Sequence, residues 1–251
     1  MESVVPVWRM SSEPANADEV AIVTGGTAGI GYETVRALAD RGADVGIVAR
    51  TEADCEAVAA EVREEFGTGA LPLPADVGDE AEATEVIERT VNEFGRLDVL
   101  VNNAGVAVGG GVPVEEITTE DLQTTIRTNV EGVFFTTRAA LPHLKETEGH
   151  LVYVGSFAGQ YPRPFNPLYA ASKYWVRGFA HSVEASEGED GVAVTVVNPS
   201  EVRTASWADT YDEWEITEPV EVARAIAFAT TFTNSSISEL DIYRRDKLST
   251  L

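Results

Sequence analysis

The stretch Val20-Ala-Ile-Val-Thr24-Gly25-Gly26-Thr27-Ala28-Gly29-Ile30-Gly31 decides the fold. Its first five residues carry no charge and read as a strand buried on both faces, as strands of a parallel sheet are. Gly25, Gly29 and Gly31 follow where a helical pattern begins, and that pattern runs to Arg41 with Gly42 as a stop. Glycine at a strand-to-helix junction permits a tight turn. It also lets backbone N–H groups approach a phosphate at the helix N-terminus. The spacing is Gly-x-x-x-Gly-x-Gly, not the general Gly-x-Gly-x-x-Gly. Taken alone, such a loop is a nucleotide site or a mere turn.

Outward from this loop, strand and helix patterns alternate. Strands are expected at 44–49, 70–75, 97–101, 151–155, 192–197 and 238–243. Helices are expected around Val58, Val62 and Phe66, over 79–94, over 119–147 as one long element, around Tyr169 and Lys173, and after Pro219, a residue suited to a first helical turn. Strands apolar on both faces and alternating with helices predict an α/β fold: a single Rossmann-like, doubly wound parallel sheet with helices on both faces. Residues 1–18 read as a loosely held extension without the apolar core of a signal peptide. Residues 19–251 read as one domain, with a short substrate loop at about 200–218.

The second strand ends in Ala49-Arg50-Thr51. Many dinucleotide folds carry a carboxylate here for the ribose 2′-hydroxyl. An Arg instead suits a 2′-phosphate through charge-assisted bonds, which points to NADP over NAD. The plainer reading is an Arg opening a surface helix.

A second pattern lies further along. Ser156 precedes Tyr169 by thirteen residues and Lys173 follows it by four. On a helix, positions four apart share a face, so the Lys ammonium can lie beside the phenol. A phenol titrates near ~10, and a nearby cation favours its anion. Such a group is a proton donor and acceptor for carbonyl reduction or alcohol oxidation. Read alone, Tyr-x-x-x-Lys is a common accident, and the rest of the chain gives it weight.

Composition narrows the function further. Of 251 residues, 42 are acidic and 18 basic, for a net charge of −24. Only three of the basic residues are Lys. Acidity spread along the chain excludes the basic patches that nucleic-acid binding needs. It matches surfaces of proteins from salt-loving cells, where molar salt screens like charges within ~3 Å. No apolar run is long enough to span a membrane. The single Cys55 forms no intrachain disulfide, which fits a cytoplasmic setting. His143, His150 and His181 show no metal-ligand spacing, so no metal is expected.

Together these motifs resemble the short-chain dehydrogenase/reductase family over about residues 19–245. The resemblance rests on Thr24-Gly-x-x-x-Gly-x-Gly31, Asp76, Asn102-Asn-Ala-Gly105, Asn129, Ser156, Tyr169-x-x-x-Lys173 and Asn198-Pro199 with Thr204. It implies an NADP-dependent oxidoreductase acting on a ketone or secondary alcohol. In that scheme Tyr169 is the general acid/base, Ser156 polarises the carbonyl, Lys173 bonds the nicotinamide ribose and lowers the Tyr169 pKa, and Asn129 anchors a water in a proton relay. The cofactor would be held by Gly25, Thr27, Gly29, Ile30, Gly31, Arg50, Thr51, Asp76, Val77, Asn103, Ala104, Gly105, Tyr169, Lys173, Pro199, Val202 and Thr204. Asp76 and Val77 would hold the adenine and Asn103 would line the adenosine side, while Val202 and Thr204 would contact the nicotinamide amide. The resemblance also implies a homodimer or homotetramer, through the long helix and the Tyr-bearing helix.

Two departures stand out: Ser200 where the family commonly has Gly, and Gly155 where a second Ser is common. Trp207, Tyr211 and Trp214 would either line an open aromatic pocket or pack a lid. Alternatives are a 3-oxoacyl thioester reductase, against which the C-terminus lacks the usual Gly-Gly-rich ending, and a catalytically idle cofactor-binding regulator. An extended-type epimerase would need a different glycine loop and a longer C-terminal region.

Overall fold

The runs of Val, Ile and Leu that lack an exposed face become the strands of one seven-stranded sheet, all parallel, in the order β3-β2-β1-β4-β5-β6-β7. The structure is a computed structural model and describes residues 18–203, 216–233 and 235–245. The strands are β1 (Val20–Thr24), β2 (Asp44–Ala49), β3 (Ala70–Pro74), β4 (Val99–Asn102), β5 (His150–Val154), β6 (Ala193–Pro199) and β7 (Glu239–Ile242). β1 and β5 are buried along their whole lengths, as a sheet covered on both sides demands. The order reverses between β1 and β4, which opens a crevice beyond the carboxyl ends of those strands.

The helices are α1 (Gly29–Ala39), α2 (Glu52–Phe66), α3 (Glu80–Phe94), α4 (Thr119–Ile126), α5 (Gly132–Thr147), α6 (Pro167–Glu187) and α7 (Pro219–Ala229). Two apolar layers cover the sheet. One joins Val35, Leu38 and Val62 with Val222 and Ile226 of α7. The other joins Val86 and Ile87 of α3, Ala140 and Leu144 of α5, and Val176 and Ala180 of α6.

The long helix expected over 119–147 is not uniform. A π segment, Arg127–Glu131, joins α4 to α5 and carries Asn129. A widened turn inside a helix carries one extra residue, and such turns recur at functional sites. Hydrophobic periodicity does not register a single inserted residue. The other elements lie within a few residues of expectation. Pro219 opens α7 at its first turn, backed by a Glu218–Glu221 capping box. The N-terminal extension falls on residues outside the described set except for Asp18, as does most of the substrate loop.

Candidate active site

The glycine loop is held from below by a network of short bonds. Gly25 (φ +66°) and Gly29 (φ +53°) take the left-handed conformation that other residues resist. A Cβ on Gly31 would strike the Gly25 carbonyl and come within 2.5 Å of Asn103 Nδ2. Asn103 Nδ2 donates to the carbonyls of Thr24 (2.8 Å) and Gly25 (3.2 Å). Thr24 Oγ1 accepts from the N–H groups of Asn103 and Ala104, both at 3.0 Å. The Asn103 amide nitrogen is therefore engaged with the loop. Asn102 lies one residue deeper, donating to Thr137 Oγ1 (3.1 Å) and accepting from Thr136 Oγ1 (2.7 Å).

Arg50 stands one residue past β2. It is exposed and has no ion-pair partner among the described residues. Thr51 caps α2 without a side-chain bond and is also exposed. Thr27 is half-buried in the loop and Ile30 half-buried in the first turn of α1. Asp76, past β3, accepts from Gly78 N–H (2.9 Å) and pairs with Arg127 (3.0 Å). Val77 beside it is buried.

The second group of residues sits on the same edge of the sheet. Ser156 lies two residues past β5 and is buried; its Oγ accepts from Ala158 N–H at 3.1 Å. Asn166 caps α6 by accepting from Tyr169 N–H at 3.2 Å, which fixes where the first turn starts. Tyr169 and Lys173 then share a face one turn apart. The Ser156 hydroxyl is near enough to the Tyr169 phenol to favour its anion. Lys173 is buried, its Nζ donating to the Val154 carbonyl (2.7 Å) and lying 5.8 Å from the centre of the Tyr169 ring.

Asn129, in the π segment, accepts from Val106 N–H and donates to Val106 O, both at 2.8 Å, and donates to Ser172 Oγ at 2.9 Å. A methyl placed on Gly105 would lie 3.4 Å from Asn129 Oδ1 and 3.6 Å from Lys173 Nζ, so these two groups flank one small space. Pro199 ends β6, and Val202 is buried in a bridge to Thr217. Ser200 makes the turn without a positive φ, accepting from Arg244 N–H through its Oγ at 3.1 Å. Thr204, Trp207, Tyr211 and Trp214 lie outside the described residues.

Burial opposes charge on both partners of the Tyr–Lys pair. It lowers the Lys173 pKa from 10.5 to about 8. It also raises the Tyr169 pKa; the nearby Ser156 hydroxyl and the charge of Arg163 act the other way but do not prevail. The expected lowering by Lys173 is thus not what the protein alone produces.

Motif spacing passed over Arg163. It lies between Ser156 and Tyr169, stacks over Phe157 (4.8 Å) and Phe165 (5.4 Å), and pairs with Glu201 at 3.0 Å. Ser172, linking Asn129 to the Tyr169 carbonyl (2.7 Å), was likewise hidden in a run of small residues. Neither has a sequence signal, since both act through loop or helix geometry. Cys55 is buried with its Sγ toward the Ala49 carbonyl (3.6 Å), and burial raises its pKa, so it is an inert packing residue. Among the described residues no group of His, Cys, Asp or Glu is arranged to hold a metal ion, and no helix is long and apolar enough to cross a membrane.

The model of the short chain dehydrogenase family matches residues 19–215. The chain belongs to that family. This short-chain dehydrogenase is 31% identical, over 84% of its length and 91% of the relative's, to an uncharacterised oxidoreductase of Staphylococcus saprophyticus. An alcohol dehydrogenase from the archaeon Thermococcus sibiricus, solved with 5-hydroxy-NADP, superposes with a TM-score of 0.85 at 26% identity, covering 90% of this chain and 97% of that one. A 3-ketoacyl-(acyl-carrier-protein) reductase from Brucella melitensis, solved with NADH, gives 0.83 at 29% identity, covering 90% and 97%. The short-chain dehydrogenase is accordingly an oxidoreductase that uses a nicotinamide dinucleotide.

Proposed function

We propose that this enzyme transfers hydride reversibly between NADP(H) and a ketone or secondary alcohol, with Tyr169 as general acid/base. The carrying observation is the convergence of Ser156, Tyr169 and Lys173 from β5 and α6 at the carboxyl edge of the sheet. The cradle fits a dinucleotide: a Cβ at Gly31 would collide with the loop, and Arg50 stands exposed beside it. Gly25, Thr27, Gly29, Ile30 and Gly31 would lie along the pyrophosphate at the start of α1. Arg50 and Thr51 would take the 2′-phosphate. Asp76, Val77, Asn103, Ala104 and Gly105 would border the adenosine, and Pro199, Val202 and Thr204 the nicotinamide. Bound NADPH supplies the hydride.

The chain's own contribution is position and a proton. Negative charge develops on the carbonyl oxygen as its carbon accepts hydride, and the Ser156 and Tyr169 hydroxyls donate to that oxygen. Tyr169 then gives up its proton to that oxygen. Lys173, its Nζ 5.8 Å from the ring centre, stabilises the phenolate that remains. Asn129 holds the π turn across the Gly105 space from Lys173, where a water could resupply the proton.

A 3-oxoacyl thioester is the second substrate class, supported by the likeness to the Brucella reductase. Leu122, Ile126, Phe134 and Tyr174, exposed on α4, α5 and α6, favour a homodimer or homotetramer, which light scattering on the eluting protein would measure. The deciding experiment follows absorbance at 340 nm with purified protein, a panel of ketones and 3-oxoacyl thioesters, and NADPH or NADH, at low and multimolar KCl. Oxidation of NADPH by a ketone supports the proposal. A protein that binds NADPH but reduces nothing on the panel, even at multimolar salt, is a cofactor-binding regulator instead.

A further inference from the structure

Gly155, the residue before Ser156, sits against the side chain of Asn198. A Cβ there would land on Asn198 Oδ1, with Asn198 Cγ at 3.3 Å and Val196 Cγ1 at 3.1 Å. Asn198 is fully buried, and its Oδ1 has no hydrogen-bond partner among the described residues. Its amide cannot flip to satisfy that oxygen. Nδ2 donates to two carboxylates of β7, Glu239 Oε1 (2.5 Å) and Asp241 Oδ1 (3.0 Å). Gln160 Nε2 donates to the same two oxygens, both at 2.8 Å. Arg177 of α6 forks onto Glu239 at 2.7 and 2.9 Å. Glu239 therefore ties the last strand to the loop after Ser156, to the end of β6 and to the helix that carries Tyr169.

We propose that Asn198, clamped by Glu239 and Asp241, is a positioning residue for Ser156, and that Gly155 is glycine because the Asn198 side chain fills the place of its own. The clamp fixes the Asn198 amide, and the amide forms a floor under the Gly155 peptide. Ser156 is thereby held where its hydroxyl meets Tyr169. This inference rests on the role of Ser156 proposed above, and it explains why a second Ser cannot precede Ser156 in this chain.

The test is a cycle of Gly155→Ala, Asn198→Ala and the double variant, built in both the wild-type and Ser156→Ala backgrounds. Melting temperature, NADPH affinity by fluorescence, and turnover of the fastest panel ketone are read for each. Gly155→Ala should lower kcat by about tenfold or more, with NADPH affinity within about twofold, since a small misplacement of a reacting group is costly. The double variant should regain most of that loss relative to Asn198→Ala, in melting temperature as well as kcat. In the Ser156→Ala background, Gly155→Ala should change kcat by less than about twofold, because the group it misplaces is gone. No recovery in the double variant, or an equal loss in both backgrounds, overturns the proposal. Should Gly155→Ala not fold, Asn198→Ala carries the same comparison, and equal losses in the two backgrounds again overturn it. A Ser156→Ala enzyme as active as wild type refutes the role of Ser156 instead, while recovery of melting temperature still reports the Gly155–Asn198 contact.

Discussion

The two edges of the sheet use the same kinds of residue to different ends. At the amino edge, polar side chains are engaged with strand ends. Asp98 accepts from Val20 N–H (2.9 Å) and pairs with Arg96, Thr147 donates to the Leu97 carbonyl (2.7 Å), and His150 Nε2 meets Thr195 Oγ1 (2.8 Å). A cavity of about 550 Å³ lies there, lined in part by Arg96, Asp98, Thr147, His150, Thr230 and Ser235. At the carboxyl edge, polar groups are held in place but keep free valences. Arg50 has no partner among the described residues, Lys173 makes one of its three bonds, and Ser156 Oγ accepts from Ala158 N–H while its own proton and the Tyr169 hydroxyl find no partner among the described residues. Donors left without partners mark the carboxyl edge, where ligands of such sheets bind.

The sharpest break in that contrast comes from Tyr169→Phe. The substitution keeps the ring and removes the proton donor. It should lower kcat by roughly 10²-fold or more while NADPH affinity, followed by fluorescence, stays close to wild type. Near-normal turnover would mean that the free valences at this edge are not the catalytic ones.

A smaller effect is expected at Arg50. Ala49 leaves no carboxylate to repel a 2′-phosphate, and the glycine loop offers no second cation, since Thr27 and Ala28 occupy it. A forked Arg–phosphate pair at an exposed site should favour NADPH over NADH in kcat/KM by about tenfold or more. Ala49→Asp with Arg50→Ile should reverse the preference. The comparison belongs at fixed, low KCl, because salt screens an exposed pair. Equal use of both cofactors at the lowest salt that keeps the protein folded would count against Arg50.

The surface charge belongs to neither edge, and its effect should be on stability alone. A net charge of −24 repels itself, and the Debye length shrinks from about 10 Å at 0.1 M salt to about 3 Å at 1 M. Melting temperature should therefore rise between 0.1 and 3 M KCl. Many acidic residues are already paired across elements, among them Glu239 with Arg177, Glu187 with Lys145 and Glu65 with Arg36, and salt weakens such pairs. A flat or falling curve would show that these pairs outweigh the general repulsion and would remove the salt-adapted reading.

The sheet, the family and the residues of both clusters were legible because each rests on a local pattern. Buried strands are apolar runs, the first helix begins at glycines, and Tyr169 and Lys173 are one helical turn apart. What escaped the sequence depends on contacts between distant segments. The π turn at Asn129 shifts register by one residue and leaves periodicity almost unchanged. Gly155 looks like a lost Ser until Asn198, forty-three residues on, is placed against it. Lys173 beside Tyr169 predicts a lowered phenol pKa, but burial of the pair decides the sign.

The smallest expected effect tests the amino edge itself. His150 is buried, and burial lowers its pKa from 6.5 to about 4. It stays neutral in the folded protein across a range where the unfolded chain takes up a proton. Between pH 6.5 and 4 the unfolded state therefore binds more protons, so this residue makes stability fall as pH falls, and the effect is complete near pH 4. His150→Gln keeps a partner for Thr195 and cannot titrate. Its melting temperature should drop less than that of wild type between pH 6.5 and 4.5, a difference of a few degrees at about 2–4 °C per kcal/mol for a chain of this size. Its kcat at pH 7.5 should be unchanged. Should His150→Gln instead lower kcat while leaving the acid limb of stability untouched, the amino-edge cavity would have a part in function that the strand-end bonds do not explain.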